Sequence, residues 1–288
     1  METTQVVSAV ESPSASAAET TSERLRKAKE KIIVSLEHAS GIRQAILMAE
    51  TCAKVGIKLV KVGQKFAILG LPELVAELGR LGLGVYYSGT LHEPPDTVAE
   101  IIRIMSSEYC MVDVNTLGFE VMMKAAVEAA RERPSENRLL VFGSNVYSTA
   151  ESVGFMMTVS GRISTGRNDR QTSVPIETGG INRIIGNMTA LAMNAGLDGV
   201  RCSGKDVGMV QARFGERRKE FKIVAAGIRS GRLPQAANPH KRMAAPRQAI
   251  LDGATWLLIG DQITSNAKPA EAIRIIAEEM TGDDLDAK

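Results

Sequence analysis

Eight short runs of aliphatic and β-branched residues recur along this chain, and amphipathic stretches fill the intervals between them. That alternation limits the fold more than any other feature. The runs are Ile32–Leu36, Lys58–Val62, Val85–Ser88, Cys110–Asn115, Leu139–Gly143, Gly199–Cys202, Lys222–Ala226 and Thr255–Gly260. Between and after them, Gly41–Lys54, Val98–Ser106, Gly118–Arg133, Ile181–Ala195 and Pro269–Met280 repeat apolar residues at spacings of three and four, the signature of a helix with one buried face. Strands apolar almost throughout are buried on both sides, which is the situation of a parallel sheet covered by helices. Eight such units in about 265 residues match the count and size of a (β/α)8 TIM barrel. A doubly wound open sheet is the alternative. Its G-x-G-x-x-G fingerprint is absent from the first strand–helix junction, Ser35–Gly41.

The expected organisation is a single barrel domain over residues 23–288, preceded by a disordered tail of residues 1–22. That tail is rich in Ser, Thr and Ala and has no apolar block. It lacks the basic start and hydrophobic centre of a secretory signal, and Glu2, Glu11 and Glu19 argue against an organellar transit peptide. With three widely spread cysteines, Cys52, Cys110 and Cys202, the sequence fits neither a disulfide framework nor a zinc site. The expectation is a cytoplasmic protein with free thiols. The apolar runs are too short to span a bilayer. A formal charge of +2 and 4% aromatic residues give no basic excess and few stacking platforms for nucleic acid.

A barrel of this kind gathers its functional groups at the C-terminal ends of the strands. The rule nominates Glu37, Lys61, Ser88, Thr90, His92, Glu93, Asp113, Asn115, Ser144, Asn145, Ser203, Arg229 and Asp261. Asp113 and Asn115 share one face of the fourth strand, because side chains alternate. The polar segment Gly161–Gly180, with Arg162, Arg167 and Arg170, is long for a compact barrel. It reads either as a cover for the barrel mouth or as a solvated loop.

Several segments, in order, resemble the orotidine 5′-phosphate decarboxylase superfamily. KIIVSLE (Lys31–Glu37) lies where that family has a strand ending in A-L-D. LVKVGQKFAILGLPELVAELGRLG (Leu59–Gly82) is similar to its second strand, K-V-G and following helix. TLHEPPDTVAE (Thr90–Glu100) falls on K-x-x-D-I-P-N-T, GLDGVRCSGKDV on the sixth strand, and VAAGIRSG on the P-G-I-R segment. KRMAAPRQAILDGATWLLIGDQIT resembles the family's final R-x-x-T-P-x-x-A-I-x-x-G-A-D-x-x-V-V-G-R-x-I. The likeness runs from Lys31 to Met280.

The resemblance implies a Lys–Asp–Lys–Asp network, of which Lys61 matches the lysine in K-V-G. The strand-three Asp and Lys fall on Ser88 and Thr90, and the last Asp falls on Glu93. In the family the strand-three lysine delivers a proton to the carbanion left when CO₂ departs, a task that a threonine hydroxyl performs poorly. Glu37 replaces an Asp that contacts ribose. The phosphate grip implied after strands seven and eight keeps its backbone pattern at Gly227, Ile228, Arg229 and Gly260. Its arginine falls on Asp261, whose charge would repel a dianion. Its glutamine falls near His240, with Arg232, Lys241 and Arg242 as other sources of charge. Pro94–Thr97 resembles a segment that in the family's dimers reaches the neighbouring subunit's site, and Thr97 is retained. Asn145, Tyr147 and Ser148 end strand five, where the family touches the base ring.

The resulting expectation is a diverged carbon–carbon lyase, acting without a cofactor on a phosphorylated, nucleotide-like or sugar-phosphate-like small molecule, as a homodimer. Lys61, Glu93, Glu37 and Asp113 would carry the chemistry. Ser88, Thr90, Thr97, Asn115, Ser144, Gly227, Arg229, Gly260 and Asp261 would bind substrate. Related hexulose-phosphate synthases and ketogulonate-phosphate decarboxylases hold Mg²⁺ with Glu and Asp, so a magnesium site among Glu37, Glu93, Asp113 and Asn115 stays open. Two other readings also stay open. One is a non-catalytic barrel that binds a metabolite or a protein. The other is an ordinary pyrimidine-pathway decarboxylase that takes its lysine from elsewhere, such as Lys65.

Overall fold

The computed structural model describes residues 20–145, 179–216, 220–234 and 242–282. Eight parallel strands close into a barrel in sequence order. They are β1 (Ile32–Ser35), β2 (Leu59–Val62), β3 (Gly84–Leu91), β4 (Tyr109–Asn115), β5 (Leu140–Ser144), β6 (Gly199–Ser203), β7 (Lys222–Ala226) and β8 (Trp256–Ile259). The described helices are α1 (Thr21–Glu30), α2 (Ile42–Lys54), α3 (Gln64–Leu69), α4 (Leu71–Arg80), α5 (Pro95–Ile104), α6 (Phe119–Arg131), α7 (Gly179–Asn194), α8 (Val207–Phe214), α9 (Pro246–Leu251), α10 (Asp261–Thr264) and α11 (Pro269–Thr281). Closure follows from β1 pairing with both β2 and β8, which leaves no open edge.

Alternation along each strand divides the apolar residues into two cores. Outward-facing Val34, Val60, Val85, Val112, Val141, Val200 and Ala225 pack under the surrounding helices. Inward-facing Ile33, Tyr86, Met111, Phe142 and Val224 fill the barrel itself, with Leu59, Leu140, Trp256 and Leu258 against them. The rings of Tyr86 and Phe142 lie 6.2 Å apart, and those of Phe142 and Trp256 also 6.2 Å, edge to face. Gly199 makes room for this filling: a Cβ there would lie 2.1 Å from the Lys222 carbonyl oxygen and 2.6 Å from the Phe142 ring. One layer nearer the strands' C-terminal ends, the same inward positions become Lys61, Ser88, Asp113, Ser144 and Arg201. The barrel is thus apolar below and polar on top.

The barrel body starts earlier than the sequence pattern indicates. Thr20 caps α1 by accepting the Glu23 N–H at 3.2 Å, so helix already covers Thr21 and Ser22. This helix buries Ala28 and packs against α11. Its composition is polar enough to read as tail. The tail expectation for residues 1–19 and the cover expectation for the Gly161–Gly180 segment fall almost wholly outside the described residues. So do Tyr147, Ser148, His240 and Lys241. Two further boundaries move. Helix α5 begins at Pro95, three residues before the expected start, because proline is suited to the first helical turn. Strand β3 continues to Leu91, with its pairing to β4 interrupted between Tyr87 and Leu91.

Truncating the ring at the centre of the inner core tests this packing. Phe142→Ala is expected to lower the unfolding free energy by about 3–5 kcal/mol, read from urea denaturation monitored by Trp256 fluorescence. A loss below about 1 kcal/mol would mean that the inner aromatic contacts are not formed as described.

Candidate active site

The polar layer surrounds a cavity of about 370 Å³ at the C-terminal ends of the strands, lined by residues that include Glu37, Lys61, Ser88, Thr90, Asn115 and Arg201. Its floor is organised by one carboxylate. Asp113 has no exposed surface, and an ion in that setting must be paired and hydrogen-bonded. Its Oδ2 accepts from Arg201 Nε at 2.8 Å, Ser88 Oγ at 2.9 Å and Tyr86 Oη at 3.2 Å. Its Oδ1 accepts from the Thr90 N–H at 2.8 Å. Burial, and then the Asp113 charge, push the Tyr86 phenol well above its ordinary pKa, so it stays a donor.

The interruption in β3 makes this possible. Residues 88–90 bulge away from regular pairing, and bulges re-aim side chains beside functional sites. Thr90 takes a left-handed conformation, φ 51°, that residues with a β-branch rarely adopt. Its N–H is thereby turned to Asp113 and its hydroxyl to Arg201, 3.2 Å from Nη2. The same Nη2 donates to Ser144 Oγ at 2.8 Å. Four neighbouring strands, β3 to β6, therefore meet at one ion pair.

On the other side of the cavity, Lys61 Nζ lies 3.5 Å from Glu37 Oε1. The Glu37 oxygen is buried and accepts no well-directed hydrogen bond. Gly63 gives it space, since a Cβ there would sit 2.8 Å from that oxygen. Desolvation dominates at Lys61 and lowers its pKa. Glu37 works against that shift, Arg201 adds to it, and Asp113 opposes it. Lys65 also reaches the cavity, but its ammonium donates to the Glu37 carbonyl at 2.7 Å and to the Ala39 carbonyl. It clamps the β1 loop, a role that counts against Lys65 as a substitute catalytic lysine.

The expected site residues separate into three groups. Lys61, Glu37, Ser88, Thr90 and Asn115 line the cavity, and Asp113 and Ser144 hold its floor. Asn115 also fixes the end of β4, accepting the Leu117 N–H at 2.9 Å. Glu93 is not with them. It is exposed beyond the end of β3, as is His92, and neither lines the cavity. Thr97 lies in the first turn of α5, outside the cavity lining.

The strand-seven and strand-eight residues form a separate, internally satisfied group. Asp261 is not an unpaired repulsive charge: it forms an ion pair with Arg229, both being largely buried. Partial burial works to raise the Asp261 pKa. The Arg229 hydrogen bond and charge, His38 and the Gln262 N–H outweigh it and hold the pKa below the ordinary value. The Arg229 N–H donates to the Ala244 carbonyl at 2.9 Å, and the Ser230 N–H to Gln262 Oε1 at 2.8 Å. The Gly227 carbonyl accepts from Ala244, and Gly260 caps α10. The backbone N–H expected at Arg229 is therefore already used. A magnesium site does not fit either. Among the described residues no three His, Cys, Asp or Glu side chains converge, and Asp113 is fully engaged by its donors.

Arg201 is the site residue that the sequence reading missed. It was legible: a cation at an inward position of the otherwise apolar or small strand Gly199–Ser203 needs a buried carboxylate as partner.

The chain is similar to proteins of known family and structure. The family model described as "Orotidine 5'-phosphate decarboxylase / HUMPS family" matches residues 30–276. An orotidine 5′-phosphate decarboxylase of Rhodospirillum rubrum is 29% identical over 228 residues, covering 78% of this chain and 85% of that protein. One from Nitrosococcus oceani is 28% identical, covering 88% and 98%. The fold is similar to the crystal structure of the decarboxylase from Lactobacillus acidophilus, with TM-score 0.67 and 18% identity, over 87% of this chain and 99% of that one. It is also similar to an uncharacterised conserved protein from Geobacillus kaustophilus, with TM-score 0.65 and 24% identity, over 86% and 99%.

Two stability measurements follow from the ion pairs. Asp113→Ala leaves the Arg201 cation uncompensated and is expected to cost about 3–5 kcal/mol in urea denaturation, whereas the isosteric Asp113→Asn costs less. A cost for Asp113→Asn below about 1 kcal/mol would mean that the charge of Asp113 is not what holds the floor. For Asp261, the depressed folded pKa gives stability that is present above the unfolded value and lost as pH falls through the folded one. Asp261→Asn should therefore lower the melting temperature at pH 7 and have a vanishing effect at strongly acidic pH. An effect independent of pH would contradict the pairing with Arg229.

Proposed function

The chain belongs to the orotidine 5′-phosphate decarboxylase / HUMPS family, and from that premise we propose that it is a carbon–carbon lyase acting on a small anionic, nucleotide-like or sugar-phosphate-like substrate. The observation that carries this reading is Lys61: an ammonium drawn out of water, facing the cavity, with Glu37 beside it. Loss of CO₂ from a substrate carbon leaves an electron pair there, and a proton must arrive to quench it. Among the described cavity-lining groups, the alternatives are poor donors. Arginine does not give up its proton, hydroxyls of Ser88 and Thr90 are weak acids, and Lys65 is held by two carbonyls. A lysine with a lowered pKa is closer to the matched donor that general acid catalysis favours. Lys61 delivers the proton in this reading, and Glu37 keeps its ammonium aimed at the cavity. No cofactor enters.

The proposal includes a poor rate with orotidine 5′-phosphate itself. Thr90 stands where the resemblance implies the proton-delivering lysine, Arg229 is paired with Asp261, and the Arg229 and Ser230 N–H groups are taken by Ala244 and Gln262. That closure also favours the competing reading, a non-catalytic barrel that binds a metabolite or a protein. A cytoplasmic homodimer, with Thr97 directed to the partner's site, remains part of the proposal. No described helix is long and apolar enough to cross a membrane.

The test is CO₂ release from orotidine 5′-phosphate and from carboxylated sugar phosphates. Lys61→Ala is expected to reduce turnover about 10²–10⁴-fold, and Lys61→Arg, which keeps the charge but does not release a proton, should not restore it. Because the working form is protonated, the rate falls as pH rises through the lowered Lys61 pKa, earlier than for an ordinary lysine. Turnover that survives Lys61→Ala would overturn the assignment. No turnover of any of these substrates would favour the non-catalytic barrel.

A further inference from the structure

The lyase reading gives Lys61 and Glu37 their tasks and leaves Arg201 without one. Stability does not account for this residue. Replacing a buried ion pair by well-packed apolar side chains is often neutral or stabilising, and the layer directly below is apolar already. Nor is the guanidinium sealed away: Asp113 has no exposed surface, but Arg201 keeps 12% of its side chain exposed and lines the cavity. Its orientation is fixed in advance by Asp113, Ser144 and Thr90, three partners on three other strands. A long side chain ordered before a ligand arrives pays no further entropy to meet it.

We propose that Arg201 makes the floor of the cavity a receptor for a carboxylate, with Lys61 as the flanking cation, so that the acid group of a small carboxylated substrate docks there. This assignment rests on the lyase reading only in taking the cavity as the substrate site. The charge count selects the ligand. Lys61, Lys65 and Arg201 face Glu37 and Asp113, which leaves one positive charge in excess. A carboxylate monoanion neutralises it. A phosphate dianion would leave a net negative charge beside Glu37 in a partly desolvated site, where like charges are costly. Arg201 is thus a specificity-determining residue for the acid group, while Lys61 remains the proton carrier.

Binding of orotate and acetate, both monoanions at neutral pH, with uracil as the neutral control, tests this in the full chain by isothermal titration. The wild type is expected to bind both acids more tightly than uracil. Arg201→Met should weaken the acids at least tenfold and leave uracil within twofold, and Arg201→Lys should lose less. Should Arg201→Met fail to fold with Asp113 left unpaired, the double variant D113N/R201M removes both charges and is expected to show the same loss. Acid binding that is equally tight in the charge-free variant, or absent from the wild type, overturns the proposal. If acids bind through Arg201 but no carboxylated substrate is turned over, the lyase reading fails and the receptor stands. If Lys61-dependent turnover persists while Arg201→Met leaves acid affinity unchanged, the receptor fails and the lyase reading stands.

Discussion

The site depends on how a carboxylate with no access to water is kept charged and in place. Asp113 is held by Arg201, Tyr86, Ser88 and the Thr90 N–H, and each of these is constrained in return. Tyr86 belongs to the apolar filling of the barrel, so its hydroxyl ties the polar layer to the core beneath it. Thr90 is held in a left-handed conformation that costs energy by itself, and the hydrogen bond to Asp113 offsets part of that cost. Arg201 is fixed in an orientation that faces the cavity. The barrel contributes rigidity, and the bulge in β3 between Tyr87 and Leu91 contributes a local departure from regularity that brings these groups together.

The charges are distributed differently from the arrangement that the family resemblance implies. The lysine of K-V-G remains at Lys61. The strand-three carboxylate and lysine are replaced by hydroxyls at Ser88 and Thr90, and these hydroxyls now serve the ion pair formed between β4 and β6. A carboxylate and a cation are therefore still present, contributed by other strands. The exchange is not equivalent in chemistry. Arginine keeps its proton, so a transferable charge has been replaced by a fixed one, and proton transfer falls to Lys61. Around β7 and β8 the chain goes further, matching Arg229 with an internal carboxylate.

The fold was legible because hydrophobic periodicity is a local signal repeated eight times. Strand ends fell within one or two residues for most elements, and β3 is the exception because a bulge leaves no mark on periodicity. Helix α1 was missed because it buries little and is polar over most of its surface. Strand-end position nominated Lys61, Glu37, Ser88, Thr90, Asp113, Asn115 and Ser144, and the structure brings these residues together around one cavity. It misjudged Asp261, since the pairing of residues 32 positions apart is not written in either neighbourhood. Arg201 went unread although its inward position on an otherwise apolar or small strand marks a buried partner; that partner, Asp113, lies 88 residues away. Glu93 was nominated by strand-end position and by motif alignment, but it lies beyond the bulged end of β3 and does not line the cavity.

The central claim is that Lys61 is a desolvated proton carrier, set in a charge network anchored by Asp113. The most direct measurement is an NMR titration of the Lys61 side chain in protein labelled with ¹⁵N-lysine, assigned by comparison with Lys61→Arg. The account predicts that Lys61 titrates below the ordinary lysine range, because burial outweighs the attraction of Glu37. Titration at or above that range would mean that the ammonium is solvated or fully neutralised by Glu37, and would contradict its role as the proton donor.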